Sequence, residues 1–486
     1  MAALSKISHY LRGEQTSKLE KKLVFKMDFF ILTFCCLAYF MNYLDRASVG
    51  QAYVSGMKED LHFKGAELTV VNTLYSVGYL VGIIPNNMLL TYFKPGRFFP
   101  FMIVVWALLT MCNAAASKPQ HLMAIRSFQG YAESCIFAGT QYILGSWYTK
   151  SELGKRTAFF TASGLAGGMF GGFLQTGIYR SMNGLAGLPG WRWLYIIDGI
   201  ITLPVAAYGY FFFPDVPSTT TAPYFTEEER QLARSRVPIT ESSRILSRDF
   251  VSRLFKSWYF YGFCFLWILG NCSESLGNQS LMNLYLQGHP EMHWSMLDTV
   301  YQLNNYPTGL QAVGIVSTLM WAFGTDIFGG RWLSGYYVSL TAISVGIIIL
   351  VPSTPTAGVY AAYYWSGSIY CIQATFFSWC NDAMRHQPAT LRAVVLSCMN
   401  FSGNVFQAWW PLVFYRADDA PNFTRGMYAL IGVGAMMGIW VSVMRYFEIK
   451  TAAKHLDVID AAEAEGSVDG ITHESVLHNK GLDSKV

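Results

Sequence analysis

Two charged residues, Asp45 and Arg46, directly follow an apolar stretch, 29–44, that can only be part of a membrane span. A charge in such a place is costly unless it is paired or meets water, so we interpret the pair as functional. Nearby polar residues recur at steps of three and four, which places them on one helix face. They are Tyr39, Asn42, Tyr43 and Arg46. The alternative to a functional role is that Asp45 and Arg46 lie at the membrane edge, where their charges reach the outer lipid headgroups.

A second charged pair lies within another apolar segment, where Arg126 and Glu133 are seven residues apart. This separation is two helical turns, or about 10 Å along one face. If the helix enters from outside near residue 121, Glu133 lies close to the middle of the membrane. Desolvation there favours the protonated form of a carboxylic acid, so Glu133 could exchange a proton, as a proton-coupling site requires. The alternative is an ion pair that holds this helix to a neighbour.

A third polar stripe combines one acid with two amides at the same helical spacing. Its residues are Asn271, Glu274 and Asn278. Glu274 is either a second proton site or a packing partner that its asparagine neighbours hold by hydrogen bonds. Gly270 and Gly277 flank the stripe, so we expect the helix to bend or unwind there.

A fourth stripe contains only neutral amides, namely Asn400, Asn404 and Gln407. Amides suit the hydroxyl and amide groups of a polar organic molecule. They also hold membrane helices together, and this alternative stays open for each of them.

The helices that must position these residues follow from composition. Of 486 residues, 52% are apolar and only 14% are charged, whereas a soluble domain carries about 25% charge. Apolar windows of roughly 20 residues, enough to cross a hydrocarbon core of about 30 Å, recur along the chain. We therefore predict an all-α membrane protein with twelve spans. They lie near 25–47, 68–92, 98–116, 121–147, 157–179, 192–213, 256–286, 304–324, 333–352, 358–380, 393–415 and 426–446.

The net charge of +4 belongs to tails and loops. No basic stripe is interleaved with aromatic residues, so we expect no nucleic-acid partner. Lysines and arginines are concentrated before the first span, in alternate short loops and in the segment 214–255. By the positive-inside rule, both termini and that segment are cytoplasmic. The charged start of the chain requires no cleaved signal peptide.

The polar segment 214–255 divides the chain into six spans plus six. Within it, Thr226 precedes Glu229 by three residues, a capping-box pattern that predicts a short surface helix. The polar end of the chain cannot bury enough apolar surface to fold alone. The predicted organisation is a cytoplasmic tail 1–24, a six-helix bundle 25–213, a cytoplasmic central loop 214–255, a second six-helix bundle 256–446 and a disordered cytoplasmic tail 447–486.

Other chemistries find no support in the sequence. The nine cysteines fall inside predicted spans without metal-type spacing, so we expect small buried apolar residues and no disulfide framework. No Walker sequence, zinc-type histidine spacing or Ser-His-Asp set occurs, which argues against an ATP-driven pump, an enzyme, a metal site or a cofactor. We expect Asp198, beside the sequence Trp-Arg-Trp, to have a structural role and to pair with a neighbouring basic group.

Three short sequences carry a family resemblance: 42–46, 126–134 and 191–193. They resemble the anion:cation symporter family of the major facilitator superfamily, which includes fungal allantoate, nicotinate, biotin and pantothenate permeases. The loops after spans two and eight resemble the superfamily's loop signature, although the first copy lacks the acidic residue and only the second keeps Asp326 and Arg331. Longer stretches are most similar to the pantothenate permeases of the family, namely 55–61, 85–87, 144–148, 190–198, 304–307 and 312–319.

The resemblance implies a major facilitator fold, with twelve transmembrane helices in two six-helix halves. It also implies proton-coupled import of a small organic anion, with pantothenate expected, across the plasma membrane by a monomer. Pantothenate has one carboxylate, an amide and hydroxyls. The implied substrate-binding residues are Arg46, Asn42, Tyr43, Arg126, Asn278, Asn400, Asn404 and Gln407, and the implied proton-coupling residues are Glu133, Asp45 and Glu274.

Two alternatives stay open from the sequence. The substrate could be another carboxylate, such as biotin, nicotinate or allantoate, because no residue identifies it by chemistry alone. A transporter-like nutrient sensor would keep the site and signal without net flux, although the short, featureless tail argues little for it.

Overall fold

The structure is a computed structural model that describes residues 17–236, 248–278, 281–288, 296–384, 387, 389–416 and 419–464. Throughout these residues the regular structure is helical, and no strand occurs among them. Seven of the described helices are long and apolar enough to cross a membrane. The predicted all-α membrane protein is therefore confirmed.

The helices of the first half follow predicted spans one to six. Span one contains two π-helical turns and a kink at Ser55 and Gly56, where the backbone is not helical, and span four is interrupted by a turn at Ser134. The spans are formed by Lys18–Met27 with Asp28–Leu32, Thr33–Ala52, Tyr53–Met57 and Lys58–Asp60, then Glu67–Tyr92, Pro95–Asn113, Pro119–Glu133 with Cys135–Trp147, Lys150–Met182 and Gly190–Phe212.

The helices of the second half follow predicted spans seven to twelve. Span seven breaks at Glu274, between the two glycines where a bend was predicted, and span ten contains a 3₁₀ turn. The spans are formed by Trp258–Ser273 with Ser275–Asn278 and Leu281–Gln287, then Met296–Asn305 with Thr308–Phe328, Leu333–Leu350, Thr356–Ser366 with Gly367–Tyr370 and Cys371–Ala383, Ala389–Phe414 and Thr424–Ala464.

The last helix, Thr424–Ala464, extends well past residue 446, the predicted end of span twelve. The predicted start of a disordered tail at residue 447 is thus too early, because alanine, lysine, glutamate and leucine in this part are strong helix formers. Residues 465–486 of the predicted tail lie outside the described residues.

The two halves use the same helix pairings. Span one packs on span five and span two on span four, as span seven packs on span eleven and span eight on span ten. Span three packs on span six, and span nine contacts span twelve through the Ser339 hydroxyl, which donates to the Gly434 carbonyl at 2.7 Å. Between the halves, span five packs on span eight and span two on span eleven. This repeated pairing is the pattern of a duplicated transporter fold.

The loops after spans two and eight differ in where their carboxylate comes from. After span eight, Arg331 pairs with Asp326 of the same loop at 2.8 Å. After span two, Asp215 takes this place from the start of the segment 214–255: it accepts a hydrogen bond from the Gly96 backbone at 3.1 Å and lies 4.0 Å from Lys94. The acid missing from the first copy is thus supplied by a distant residue.

All nine cysteines are free. Six of them are buried, as predicted, but Cys112 is exposed. The prediction of burial is wrong for Cys112 because it lies on the outward face of the helix Pro95–Asn113.

The predicted capping box in the segment 214–255 is confirmed. The Glu229 backbone donates to the Thr226 hydroxyl at 3.3 Å, and the Thr226 backbone donates to the Glu229 carboxylate at 2.9 Å. The helix that starts there is Glu227–Arg236. The Glu229 side chain is 0% exposed and accepts from Lys26 of span one at 2.7 Å. The helix is therefore fixed to the start of span one.

Burial opposes ionisation of the Glu229 carboxyl, but hydrogen bonds from Lys26 and from the Thr226 backbone outweigh it, so the pKa of Glu229 lies below its ordinary value. A group whose pKa is lowered in the folded state stabilises that state above its ordinary pKa, about 4.3 for glutamate. This contribution is lost as the pH falls through the lowered value.

We expect Glu229→Gln to weaken the docking of this helix by about 1–3 kcal/mol, because Lys26 keeps its charge without a carboxylate. Trypsin should cut the purified variant after Arg230 and Arg234 faster than wild type at about pH 7. With pepsin, the difference in cleavage rate should vanish as the pH falls below about 4.3, through the lowered pKa of Glu229, because the carboxyl itself then becomes protonated.

The matched control is Glu227→Gln in the same helical turn. Glu227 is exposed and pairs with Arg230 at 3.2 Å, and such a surface pair contributes little. Equal cleavage of both variants would show that the Lys26 contact does not hold the helix.

Candidate functional site

A cavity of about 170 Å³ lies between the two halves of the protein. Among the described residues, its lining comes from spans one, two, four and five on one side and from spans seven, eight, ten and eleven on the other. Both cationic residues of the lining, Arg46 and Arg126, belong to the first half. We call this side the cationic wall and the opposite side, from the second half, the amide wall.

Arg46 is the central residue of the cationic wall. Its guanidinium carbon lies 5.6, 5.2 and 5.1 Å from the ring centres of Tyr43, Tyr75 and Tyr79, which stabilises the charge by cation–π attraction. Its Nε donates to the Tyr75 hydroxyl at 2.7 Å. Among the described residues this is the only hydrogen bond of Arg46. Its two terminal nitrogens can therefore bind a carboxylate in the bidentate geometry that guanidinium groups favour.

Arg126 also reaches the cavity but is largely engaged within its own half. Its side chain is 1% exposed, and its guanidinium carbon lies 4.7 Å from the Tyr75 ring centre. Its Nη1 donates to the Asp45 backbone carbonyl and to the Gln129 side chain, both at 3.2 Å. Arg126 thus adds positive charge to the cationic wall while its position is fixed by spans one and four.

Glu133 is 0% exposed and lies behind the cationic wall. Its carboxylate accepts hydrogen bonds from Asn42 at 2.6 Å, from Gln129 at 2.8 Å and from the Tyr75 hydroxyl. Gln129 also accepts from Arg126, so it bridges Arg126 and Glu133, which form no direct ion pair. Tyr75, which does line the cavity, lies between Glu133 and the cavity space.

The structure assigns different surroundings to two residues of span one that were predicted to share a face with Arg46. Tyr43 lines the cavity, and its hydroxyl accepts from Tyr39 at 3.2 Å. Asn42 does not line it and donates to Glu133 at 2.6 Å, so its contact with substrate stays a prediction. Its short side chain, one turn before Arg46, points at Glu133 of span four.

Two further acids lie outside the cavity lining. Asp45 accepts from the Thr110 hydroxyl at 3.3 Å, and its other carboxylate oxygen has no partner among the described residues. Asp198 accepts from the Ser48 hydroxyl. The predicted pairing of Asp198 with a basic group is therefore wrong, because span one presents a serine to it. Asp45 stays a predicted proton-coupling residue without access to the cavity.

The amide wall contains most of the polar residues predicted in the second half. Glu274 lines it and accepts from Gln373 at 3.0 Å, while its other oxygen has no described partner. The amides of this wall that the sequence predicted are Asn271, Asn400, Asn404 and Gln407. The side chain of Asn278 lies outside the described part of the structure.

Sequence reasoning missed cavity residues on spans two, eight and ten. Span two supplies Asn72, Tyr75, Ser76 and Tyr79. Their spacing of three and four residues was a readable signal of one shared face. Span two contains no charge between residues 68 and 92, so it lacks the costly groups that mark spans one, four and seven. Gln311 of span eight and Gln373 of span ten also line the amide wall. Each continues a spacing of four and three residues, from Asn304 and Thr308 and from Ser366 and Tyr370.

Tyr75 reaches Glu133 because spans two and four approach at backbone distance. A Cβ atom on Gly130 would lie 2.2 Å from the Tyr75 carbonyl oxygen, and one on Gly78 would lie 1.9 Å from the Ser127 carbonyl oxygen. Only glycine permits such contact, as is common where membrane helices pack closely.

Comparisons with known proteins establish the family of the chain. The family model described as Major Facilitator Superfamily matches residues 35–411. The chain belongs to this superfamily. It is a multi-pass membrane transporter and not an enzyme, with the predicted fold of twelve transmembrane helices in two six-helix halves.

Several curated relatives cover most of the chain. The pantothenate transporter liz1 of Schizosaccharomyces pombe is 40% identical over 92% of this chain and 86% of its own length. The pantothenate transporter FEN2 of Saccharomyces cerevisiae is 41% identical over 93% and 89%. The vitamin H transporter of Saccharomyces cerevisiae is 27% identical over 90% and 74%.

Solved structures share the fold at low identity. A bacterial homologue of the human lysosomal transporter Spinster, in an inward-facing and unoccupied conformation, is 14% identical, with a TM-score of 0.61 over 86% of this chain and 97% of that one. The nucleoside transporter NupG is 12% identical, with a TM-score of 0.60 over 85% and 99%.

We expect Gly130→Ala to destabilise the protein by about 1–3 kcal/mol, because the added methyl group forces spans two and four apart. The measurement is the thermal unfolding midpoint of the protein in detergent. Gly177→Ala is the control, since a Cβ there meets nothing within 4 Å and alanine is favoured over glycine in a helix. An unchanged midpoint for Gly130→Ala would contradict the close packing described here.

Proposed function

We propose that this transporter is a proton-coupled symporter that imports a small organic anion, pantothenate first of all, across the plasma membrane. The observation that carries the proposal is a cavity whose cationic wall faces an amide wall. Two relatives at 40% and 41% identity that are named pantothenate transporters support the choice of substrate.

The cavity suits a molecule that carries a carboxylate at one end and amide and hydroxyl groups along the rest. In the proposed mode, the carboxylate binds the terminal nitrogens of Arg46, and Arg126 adds attraction from the side. The amide and hydroxyl groups extend to the opposite wall. The residues proposed to bind them there are Asn278, Asn400, Asn404 and Gln407, with Tyr43 and Asn42 as further proposed contacts from the first half.

Glu133 is the proposed proton site, with Asp45 and Glu274 as further proton-coupling candidates. An ionised Glu133 supplies a negative charge behind the cationic wall and opposes anion binding, whereas a protonated Glu133 does not. Proton and anion therefore favour each other's binding, as linkage requires. If more than one proton accompanies each anion, the membrane potential contributes about 2.3 kcal/mol per net charge per 100 mV.

Transport then follows by alternating access. The segments 25–213 and 256–446 are proposed to rock against each other about the cavity, as the repeated helix pairings suggest. The excess of lysine and arginine in alternate loops supports cytoplasmic termini and a cytoplasmic segment 214–255. The protein is proposed to act as a monomer.

The experiment that tests this function is uptake of labelled pantothenate by fungal cells that lack their own carrier, at an external pH of about 5 and about 7. Unlabelled biotin, nicotinate and allantoate serve as competitors. Faster uptake at acid pH that only pantothenate blocks supports the proposal. Competition by another carboxylate would reassign the substrate, and binding without accumulation would indicate a sensor.

We expect Arg46→Ala to raise the KM for pantothenate by about 10- to 100-fold, because a charge-assisted bidentate contact is lost. Arg46→Lys should restore only part of the affinity for pantothenate, since an ammonium group cannot form the two parallel hydrogen bonds of a guanidinium group. Arg180→Ala is the control, as Arg180 is exposed near the end of the helix Lys150–Met182. Normal uptake by a surface-expressed Arg46→Ala would exclude Arg46 from substrate binding.

We expect Glu133→Gln to make uptake independent of external pH between about 5 and 7, because the amide is neutral throughout. Accumulation against a gradient should be lost, while exchange of labelled for unlabelled pantothenate continues. Glu67→Gln is the control, since the Glu67 side chain accepts a hydrogen bond from the Lys64 backbone at 2.8 Å and does not line the cavity among the described residues. A pH response that survives in Glu133→Gln would place the proton site elsewhere.

A further inference from the structure

Tyr75 is the only described residue that hydrogen-bonds both Arg46 and Glu133. Its oxygen accepts from Arg46 Nε at 2.7 Å, and its hydroxyl hydrogen is donated to the Glu133 carboxylate. Its ring packs against Arg126 as well, at 4.7 Å from the guanidinium carbon. Tyr75 lines the cavity, whereas Glu133 does not. The phenol is thus the connection between the buried acid and the wall that meets substrate.

The three donors to Glu133 are not equivalent when that acid takes up a proton. The side chains of Asn42 and Gln129 donate through amide nitrogens, which cannot accept a hydrogen bond. A phenol oxygen can accept two hydrogen bonds while its own hydrogen rotates. Protonated Glu133 can therefore donate to the Tyr75 oxygen, which already accepts from Arg46.

This reversal moves one hydrogen-bond donor into the cavity. The proton stays on the Glu133 carboxyl, and the Tyr75 hydrogen is released from Glu133 and turns toward the cavity space. Beside the free nitrogens of Arg46, it becomes a further donor to a bound carboxylate. No bond of the phenol is broken, and no proton leaves Tyr75.

We propose that Tyr75 is a positioning residue that couples protonation of Glu133 to anion binding at Arg46, through reversal of its hydrogen bond. The inference rests on the proposed function, which supplies the proton and the anion. It adds the physical link between them, a hydroxyl group that offers its hydrogen to Glu133 or to the substrate but not to both.

Other charged and titratable groups lie near Glu133 and also respond to a change in its charge. Spans one, two and four surround it, and span six adds Asp198 next to Asp45. The groups that interact electrostatically with Glu133 are Arg46, Asp45, Tyr75, Tyr79, Arg126 and Cys135. Among the described residues, only Tyr75 of this set hydrogen-bonds Glu133.

Tyr75→Phe tests the inference because it removes only the hydroxyl and keeps the ring that packs on both arginines. Tyr79→Phe is the matched control. Tyr79 lines the same cavity and lies 5.1 Å from the Arg46 guanidinium carbon, but among the described residues its hydroxyl forms no hydrogen bond. The readout is the ratio of the pantothenate KM at an external pH of about 7 to that at about 5.

In wild type this ratio should exceed about fivefold, a usual size for coupling between two sites. Tyr75→Phe should lower the ratio by a factor of about five, mainly by raising the KM at acid pH, where the released hydroxyl is lost. Tyr79→Phe should keep the wild-type ratio. Binding of labelled pantothenate to purified protein at both pH values gives the same comparison if a variant does not reach the cell surface.

The outcomes separate the inference from the function on which it rests. A wild-type ratio near one overturns proton coupling, and this inference with it. A pH-dependent wild type with an unchanged ratio in Tyr75→Phe overturns the role of Tyr75 alone. An equal decrease in Tyr79→Phe also overturns it, because it would show a general effect of removing a cavity hydroxyl.

Discussion

Charges within the membrane-spanning part of this transporter depend on compensation from the protein itself, because hydrocarbon supplies neither counter-ions nor hydrogen bonds. Arg46 and Arg126 are compensated by tyrosine rings, by Gln129 and by a backbone carbonyl, and Glu133 by three donors. Spans one, two and four must therefore keep their relative positions. The glycine contacts between spans two and four achieve this at backbone level.

The same constraint explains the difference between the two walls of the cavity. The cationic wall concentrates its charges in a network of hydrogen bonds and ring contacts that fixes Arg126 and Glu133 and holds Arg46 through Nε. The amide wall instead presents neutral groups, which cost less to bury and can turn to suit a ligand. Asn404, for example, donates to the backbone and side chain of Asn400 at 2.9 and 3.1 Å. One wall can thus fix a charge while the other adapts to the remainder of the substrate.

Much of the fold followed from the sequence because hydrocarbon imposes a length and a composition on each span. The capping box at Thr226 was predictable for a local reason, since both partners lie three residues apart. Arg46, Glu133 and the amide stripes were predictable as polar residues that cannot face lipid.

What the sequence left open is which helix each polar face meets. Helical spacing places Asn42 beside Arg46, but it does not reveal that Asn42 points at Glu133 and Arg46 into the cavity. Asp198 meets a serine of span one for the same reason. The role of Tyr75 is harder still to predict, because its side chain is neutral and its two partners, Arg46 and Glu133, lie on two other spans. Such contacts depend on long-range packing and not on local periodicity.

Both cationic side chains of the cavity lining stand on one wall, and the opposite wall includes the carboxyl group of Glu274. An anion with a single terminal charge satisfies this arrangement. In the proposed binding mode, a molecule with a carboxylate at each end would direct its second charge at amides and an acid, where the described lining contains no cation. The proposed site therefore favours monoanions over dianions of similar length.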